Sequence, residues 1–133
     1  MDPLKELQGA VYSRLTTYAG VTALVGTRVY DRVPSDAALP YISFGPVTAT
    51  SDDADCIDGL SISMQIDVWS TEPGYVEAQA IAGAVRAALG GDDLTLVSNA
   101  LVTIEHRQTR LMRDPDGLTS HAAISFDAFV ETT

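Results

Sequence analysis

Cysteine is almost missing from this chain: one residue, Cys56, in 133. A single thiol cannot close an internal disulfide, and with no second Cys nearby it cannot anchor a structural zinc site, so burial of apolar side chains has to hold the fold. Long apolar runs are missing too. Nothing approaches the roughly 20 residues that a membrane-spanning helix needs. The first residues, MDPLKELQ, have neither the basic stretch nor the apolar stretch of a secretory signal, and folding in the cytoplasm is expected. Basic residues are scarce, 8 against 18 acidic ones, for a formal charge of −10. Such a surface repels a polyanion on average, which argues against a general DNA- or RNA-binding role.

Catalytic signatures are absent as well. No G-x-S-x-G elbow, phosphate-binding loop, H-E-x-x-H or G-x-G-x-x-G occurs. The nucleophile and base candidates reduce to Cys56, His106 and His121. The two histidines read as structural or surface groups, and no enzyme activity is expected. The acidic run DDADCID suggests calcium, because a hard cation needs closely spaced carboxylates. An EF-hand-like loop starting at Asp53 would have Ile57 at its fifth position, Gly59 one place late and Met64 where the bidentate Glu belongs. The run reads as a solvated loop, and neither metal nor cofactor is expected.

What is present is periodicity. Asp2 and Pro3 read as an N-cap and first helical residue, and Leu4, Leu7, Val11, Leu15 and Tyr18 form one helical stripe that Gly20 should end. Val21 to Val25, closed by Gly26, suits one further turn. Arg28–Val33 reads as a short strand. Tyr41–Thr50 reads as a strand bent at Gly45–Pro46. In Leu60–Trp69 strict alternation puts Leu60, Ile62, Met64, Ile66 and Val68 on a core face, with Ser61, Ser63, Gln65, Asp67 and Trp69 opposite.

From about Pro73 to Leu89 a second helix buries Ala78, Ile81, Ala82, Val85, Ala88 and Leu89, and Gly90–Gly91 ends it. Leu101–Arg113 and Ser120–Glu131 are two further strands joined through the turn residues of DPDG. The order α-β-β-β-α-β-β and the short connections imply an α+β domain spanning residues 1–133. It should have a single, mostly antiparallel four- to five-stranded sheet with two helices on one face.

Two charge clusters and two aromatics are candidates for contact with other molecules. Asp52, Asp53 and Asp55 form the acidic cluster, and Arg107, Arg110 and Arg113 put three of the 8 basic residues within one strand. On a regular strand Arg107 and Arg113 share a face and Arg110 takes the other. Trp69 is the one large aromatic on the polar face of its strand. It is either an interface side chain or one covered by a loop of its own chain. Tyr75 sits with it at the junction VWSTEPGYVEAQ, where Pro73 and Gly74 permit the turn from strand into helix.

Four segments together resemble a known family: LVGTRVYDRVPSDAALPYISFG, the strand ending DVWS, EPGYVEAQAIAGAVRAAL and DPDGLTSHAAISFDAFVE. The chain is similar over nearly its whole length to the tail completion or tail terminator proteins of long-tailed phages, prophages and gene transfer agents. The resemblance implies a homohexameric ring at the head-proximal end of a tail tube, ending tube polymerisation and forming the joint to the head. It implies as partners further copies of the chain, the tail tube protein and a head-side connector or stopper. DNA would pass through the lumen without specific binding. Assembly would take place in the bacterial host cytoplasm, and the finished protein would sit at the tail-neck junction of the particle. In that setting Trp69, Tyr75, the three arginines and the three aspartates are the candidate interface residues. A second reading is another neck component, such as a stopper. A third, of a different class, is a small ligand-binding or enzymatic domain that uses His106, His121 or Cys56.

Overall fold

The first helix forms where its signals place it. In the computed structural model, which describes residues 2–53, 57–90 and 94–132, helix α1 spans Pro3–Thr17. The Asp2 carboxylate accepts from the Lys5 amide at 2.9 Å, satisfying one of the donors a helix start leaves free. Leu7, Val11 and Leu15 are buried on one stripe, with Leu4 and Tyr18 packed at its margin. The helix stops before Gly20, because Tyr18 turns extended at φ −76° and ψ 119°. Gly20 instead lies inside helix α2, Ala19–Val25. Its missing side chain leaves room for the Tyr18 ring, whose Cε2 atom would be 3.1 Å from a Cβ there. What reads as one further turn is thus a separate seven-residue helix that buries Val21 and Val25.

The sheet has the order β1-β2-β3-β5-β4, with β1 Val29–Tyr30, β2 Tyr41–Ser51, β3 Gly59–Ser70, β4 Ala100–Arg113 and β5 Ser120–Glu131. The fold is α+β, as the residue pattern implies. Strand β1 is shorter than the expected Arg28–Val33 and pairs parallel with β2, which makes the sheet mixed. The neighbouring Arg28 side chain is taken up by a hydrogen bond from Nε to the Pro40 carbonyl at 2.8 Å, tying the two ends of the 31–40 loop. All other pairings are antiparallel. Strand β2 breaks register between Phe44 and Val47, where Gly45 and Pro46 cannot both serve a regular ladder.

Helix α3 runs Val76–Leu89 and buries the predicted stripe Ala78, Ile81, Ala82, Val85, Ala88 and Leu89. It begins later than Pro73. The Ser70 hydroxyl accepts from the Glu72 amide and donates to Glu77, and Gly74 at φ 75° carries the chain through a left-handed step. Ile62, Ile66, Ile124 and Phe126 project from β3 and β5 into the same core as the stripes of α1, α2 and α3. All three helices therefore cover one face of the sheet. The other face stays open, and among the described residues no helix is long and apolar enough to cross a membrane.

Candidate assembly surface

Residues of opposite parity to the core line the open face, and its two ends differ in chemistry. At the end where β2 starts and β3 stops, one side chain per strand forms a row. Tyr30 and Tyr41 meet edge to face at 5.7 Å between ring centroids. Tyr41 is opposite Trp69, Trp69 opposite His121, and His121 opposite Met112. The Trp69 and His121 rings stack at 3.9 Å and 11°. Beneath this row the polar atoms are paired. The Trp69 Nε1–H donates to Ser43 Oγ at 3.0 Å, and Asp67 Oδ1 accepts from Gln65 Nε2 at 2.8 Å and from His121 Nε2 at 2.6 Å.

Asp67 is only 6% exposed, and a buried carboxylate needs such partners. Gly45 makes its seat: a Cβ at that position would be 2.6 Å from Asp67 Oδ2. Trp69 is therefore held by side chains of neighbouring strands rather than covered by a loop. The sequence offered no signal for this pairing, since His121 and Ser43 are far from Trp69 in the chain. Burial first, then the charge of Asp114 and the neighbouring Tyr30, push the Tyr41 hydroxyl above the ordinary tyrosine range.

The opposite end carries Asp52, Asp53, Asp58, Glu105, Asp127 and Glu131, with no Lys or Arg on the strand segments 47–53, 57–64, 99–106 and 126–132. A shallow hollow of about 300 Å³ there is lined by Thr48, Thr50, Ser61, Ser63, Thr103 and Phe129, among others. Asp52 accepts from the Ser61 hydroxyl at 2.9 Å and Asp53 from the Gly59 amide at 3.0 Å. Gly59 has no room for a side chain, because a Cβ would collide with the Phe129 ring. Asp55 and Cys56 lie outside the described residues.

The arginines divide differently from the regular-strand expectation. Register shifts after Leu101 and after His106 leave Val102 and Arg107 unpaired with β5. The second bulge reverses parity, so Arg107 reaches Asp127 on the open face at 2.6 Å. Arg110, opposite Ala123, lies on that face as well. Arg113 falls on the helix-covered side, with its guanidinium 4.5 Å over the Tyr75 ring. Arg107 and Arg110 therefore share a face and Arg113 does not. Trp69 and Tyr75 likewise sit on opposite faces of the corner between them. The acidic cluster follows β2 and the arginines lie along β4, so the two lie toward opposite edges of one sheet.

The two histidines of the enzymatic reading do not converge. His106 lies edge-on to Phe126 at 5.8 Å and its Nε2 is 2.8 Å from Thr109 Oγ1. Burial and then Arg86 hold it below the ordinary histidine range. His121 spends Nε2 on Asp67, and Ser43, the hydroxyl of that network, is engaged by Trp69. Among the described residues no group of three or more His, Cys, Asp or Glu is arranged to hold a metal ion.

The sequence profile of the tail completion protein gp17 family matches residues 9–131. In structure the chain is similar to one in the virion of a native gene transfer agent particle, with 33% identity, 96% of each chain covered and a TM-score of 0.89. It is also similar to the bacteriophage SPP1 gp17 protein, with 24% identity, 93% of this chain and 88% of that one covered, and a TM-score of 0.61. This second likeness speaks to the fold alone. Comparison with curated protein sequences finds no match.

Proposed function

Starting from the fact that this chain belongs to the tail completion protein gp17 family, we propose that it forms a closed ring at the head-proximal end of a tail tube. The ring ends tube growth and presents the surface to which the head is joined. The observation that carries this reading is the match, over 96% of both chains, to a component of a gene transfer agent virion. The distribution of charge supports a ring. A heterologous contact that closes on itself needs two different, complementary patches on each copy. Acidic and basic clusters toward opposite edges of one sheet meet that requirement, whereas a two-fold dimer would bring like against like.

The chain acts through surfaces rather than through catalysis on this reading, consistent with histidines that face Phe126 and Asp67 and not a shared cleft. Its partners are further copies of itself, the tube protein and a head-side connector. DNA crosses the lumen unbound, because a protein of charge −10 offers it little to hold. Particles made without this protein should show overlong tails or tails without heads by electron microscopy. Normal-length tails joined to heads would overturn the proposal. A pull-down in which the protein captures the connector and not the tube would favour the stopper reading instead. DNA delivery tests the lumen: neutralising Glu105, Asp127 and Glu131 together should slow it if these groups line the passage, and unchanged delivery removes them from it.

A further inference from the structure

Both outer strands of the sheet leave backbone unpaired. Strand β1 covers only Ile42 and Ser43 of β2, so among the described residues Val47–Ser51 has no strand neighbour on that side, and all five of its residues are exposed. At the other edge β4 pairs with β5 alone, and its regular run after the second bulge is Gln108–Arg113. Exposed edges are normally blunted by charge, proline or very short length, because they are templates for another strand. Val47–Ser51 (VTATS) has no charge, and Pro46 stands before it rather than within it. Helix α1 leaves this stretch largely uncovered: Val47, on the core-facing parity, is 51% exposed.

We infer that the free edge of β2 in one copy pairs antiparallel with the edge of β4 in the next, so that the sheet runs on from subunit to subunit. The proposal rests on the ring reading above and specifies its contact. Strand β2 runs antiparallel to β3, β3 to β5, and β5 to β4, so in a chain of like-oriented copies β4 meets the following β2 antiparallel. Parity then restricts the register. Val47, Ala49 and Ser51 are opposite the core-facing Met64, Ile62 and Leu60, and Thr109 and Leu111 are opposite the core-facing Ile124 and Ala122. Keeping the core layers continuous permits Ala49 opposite Leu111, Ser51 opposite Thr109 and Val47 opposite Arg113.

Charge selects this stagger over the flush alternative. It brings Asp52 and Asp53, just beyond β2, opposite Gln108 and Arg107, with Asp52 and Arg107 both on the open face. A flush alignment, with Ala49 opposite Ile104, would carry Asp52 and Asp53 toward Ala100 and the Glu131 paired with it. Closing a sheet into a ring requires a constant stagger of this kind.

The test uses a Cys56→Ser background carrying either Ala49→Cys with Leu111→Cys or the flush pair Ala49→Cys with Ile104→Cys. Directly opposed residues of antiparallel strands place their Cβ atoms about 4.5–5.5 Å apart, close enough for mild oxidation to join them. In purified particles the staggered pair should give a ladder of covalent oligomers of this chain that the single variants do not give. The unsubstituted protein provides a second reading. Amides of 47–51 and 109–113 should exchange at least about tenfold more slowly in particles than in the free protein, the amount expected when a free edge gains a ladder. Cross-linking of the flush pair alone, adducts to a different protein, or unchanged exchange at both edges in particles that contain the protein would overturn this contact and leave the ring standing. Absence of the protein from particles would overturn the ring itself.

Discussion

The two ends of the open sheet face use similar residue types in opposite ways. At the Trp69 end a carboxylate, Asp67, is buried beneath a stacked Trp–His pair, with one hydrogen-bond donor from its own strand, Gln65, and one from the neighbouring strand, His121. At the Asp52 end, carboxylates are held by a hydroxyl, an amide or a solvated arginine, and several face water together. The first arrangement spends its polar capacity inside the subunit and turns the Trp69 and His121 ring faces toward each other. The second keeps its charge available for whatever approaches. A buried, satisfied polar cluster rigidifies one geometry, while exposed like charges stay soluble and separate until a complementary surface arrives.

The sharpest way to break this contrast is to remove the ring that covers the first end. Trp69→Ala deletes the stack on His121 and leaves Ser43 without its donor. It should cost about 3 kcal/mol in urea unfolding, the low end for an aromatic deletion at a packed site. Ser61→Ala at the other end should change the midpoint by no more than about 0.5 kcal/mol, as for a surface substitution. Equal effects would mean that the two ends do not differ in rigidity.

A matched pair of aspartates comes next. Asp67→Asn weakens a buried, doubly bonded acceptor and should cost about 1–3 kcal/mol. Asp127→Asn disturbs an ion pair whose side chains are 67% and 44% exposed, and should cost less than about 1 kcal/mol.

Acid sharpens the comparison in another way, because each end has a turn closed by a carboxylate on backbone amides. Glu6 accepts from the amides of Val97, Ser98 and Asn99 just before β4, and Asp116 accepts from those of Leu118 and Thr119 in the β4–β5 turn. The Ser98 amide holds Glu6 below the ordinary glutamate value, and the Thr119 amide does the same for Asp116. A folded-state value below the unfolded one gives stability that is present above the unfolded value, about 4.5 for Glu6 and 3.8 for Asp116. That stability is lost as pH falls through the lower folded value. Glu6→Gln and Asp116→Asn should each flatten the acid limb of a stability profile and leave neutral-pH salt dependence unchanged. An acid limb identical to that of the parent would refute the assignment.

The smallest effect concerns repulsion at the acidic end. Glu131→Gln should stabilise by no more than about 0.5 kcal/mol at low salt and have no effect near 0.5 M, where screening is nearly complete.

Much of the fold is legible in the chain because its signals are local. Alternation in Gly59–Ser70 and Ser120–Glu131 needs only the two-residue period of a strand, and the α1 and α3 stripes need only the helical one. Gly45–Pro46 announces its own bulge. The bulge at Arg107 does not, since HRQTR contains neither Gly nor Pro. One unpaired residue there was enough to put Arg107 and Arg113 on different faces, where a regular strand would keep them on one. Strand β1 is equally silent: RVYDRV reads as a longer strand, and its parallel pairing is set by the path of the 31–40 loop.

By itself, then, the sequence determined the α+β class, the helix and strand periods, the separation of charge and, through family-wide pattern, a place among tail completion proteins. Tertiary structure alone decided that Trp69 stacks on His121, that Asp67 lies buried under them, and that the acidic and basic clusters lie toward opposite edges of the sheet. The physical reason is one of range. Propensity and periodicity act within a few residues, whereas register across strands fixes which side chains meet, and it is set only when the whole core packs.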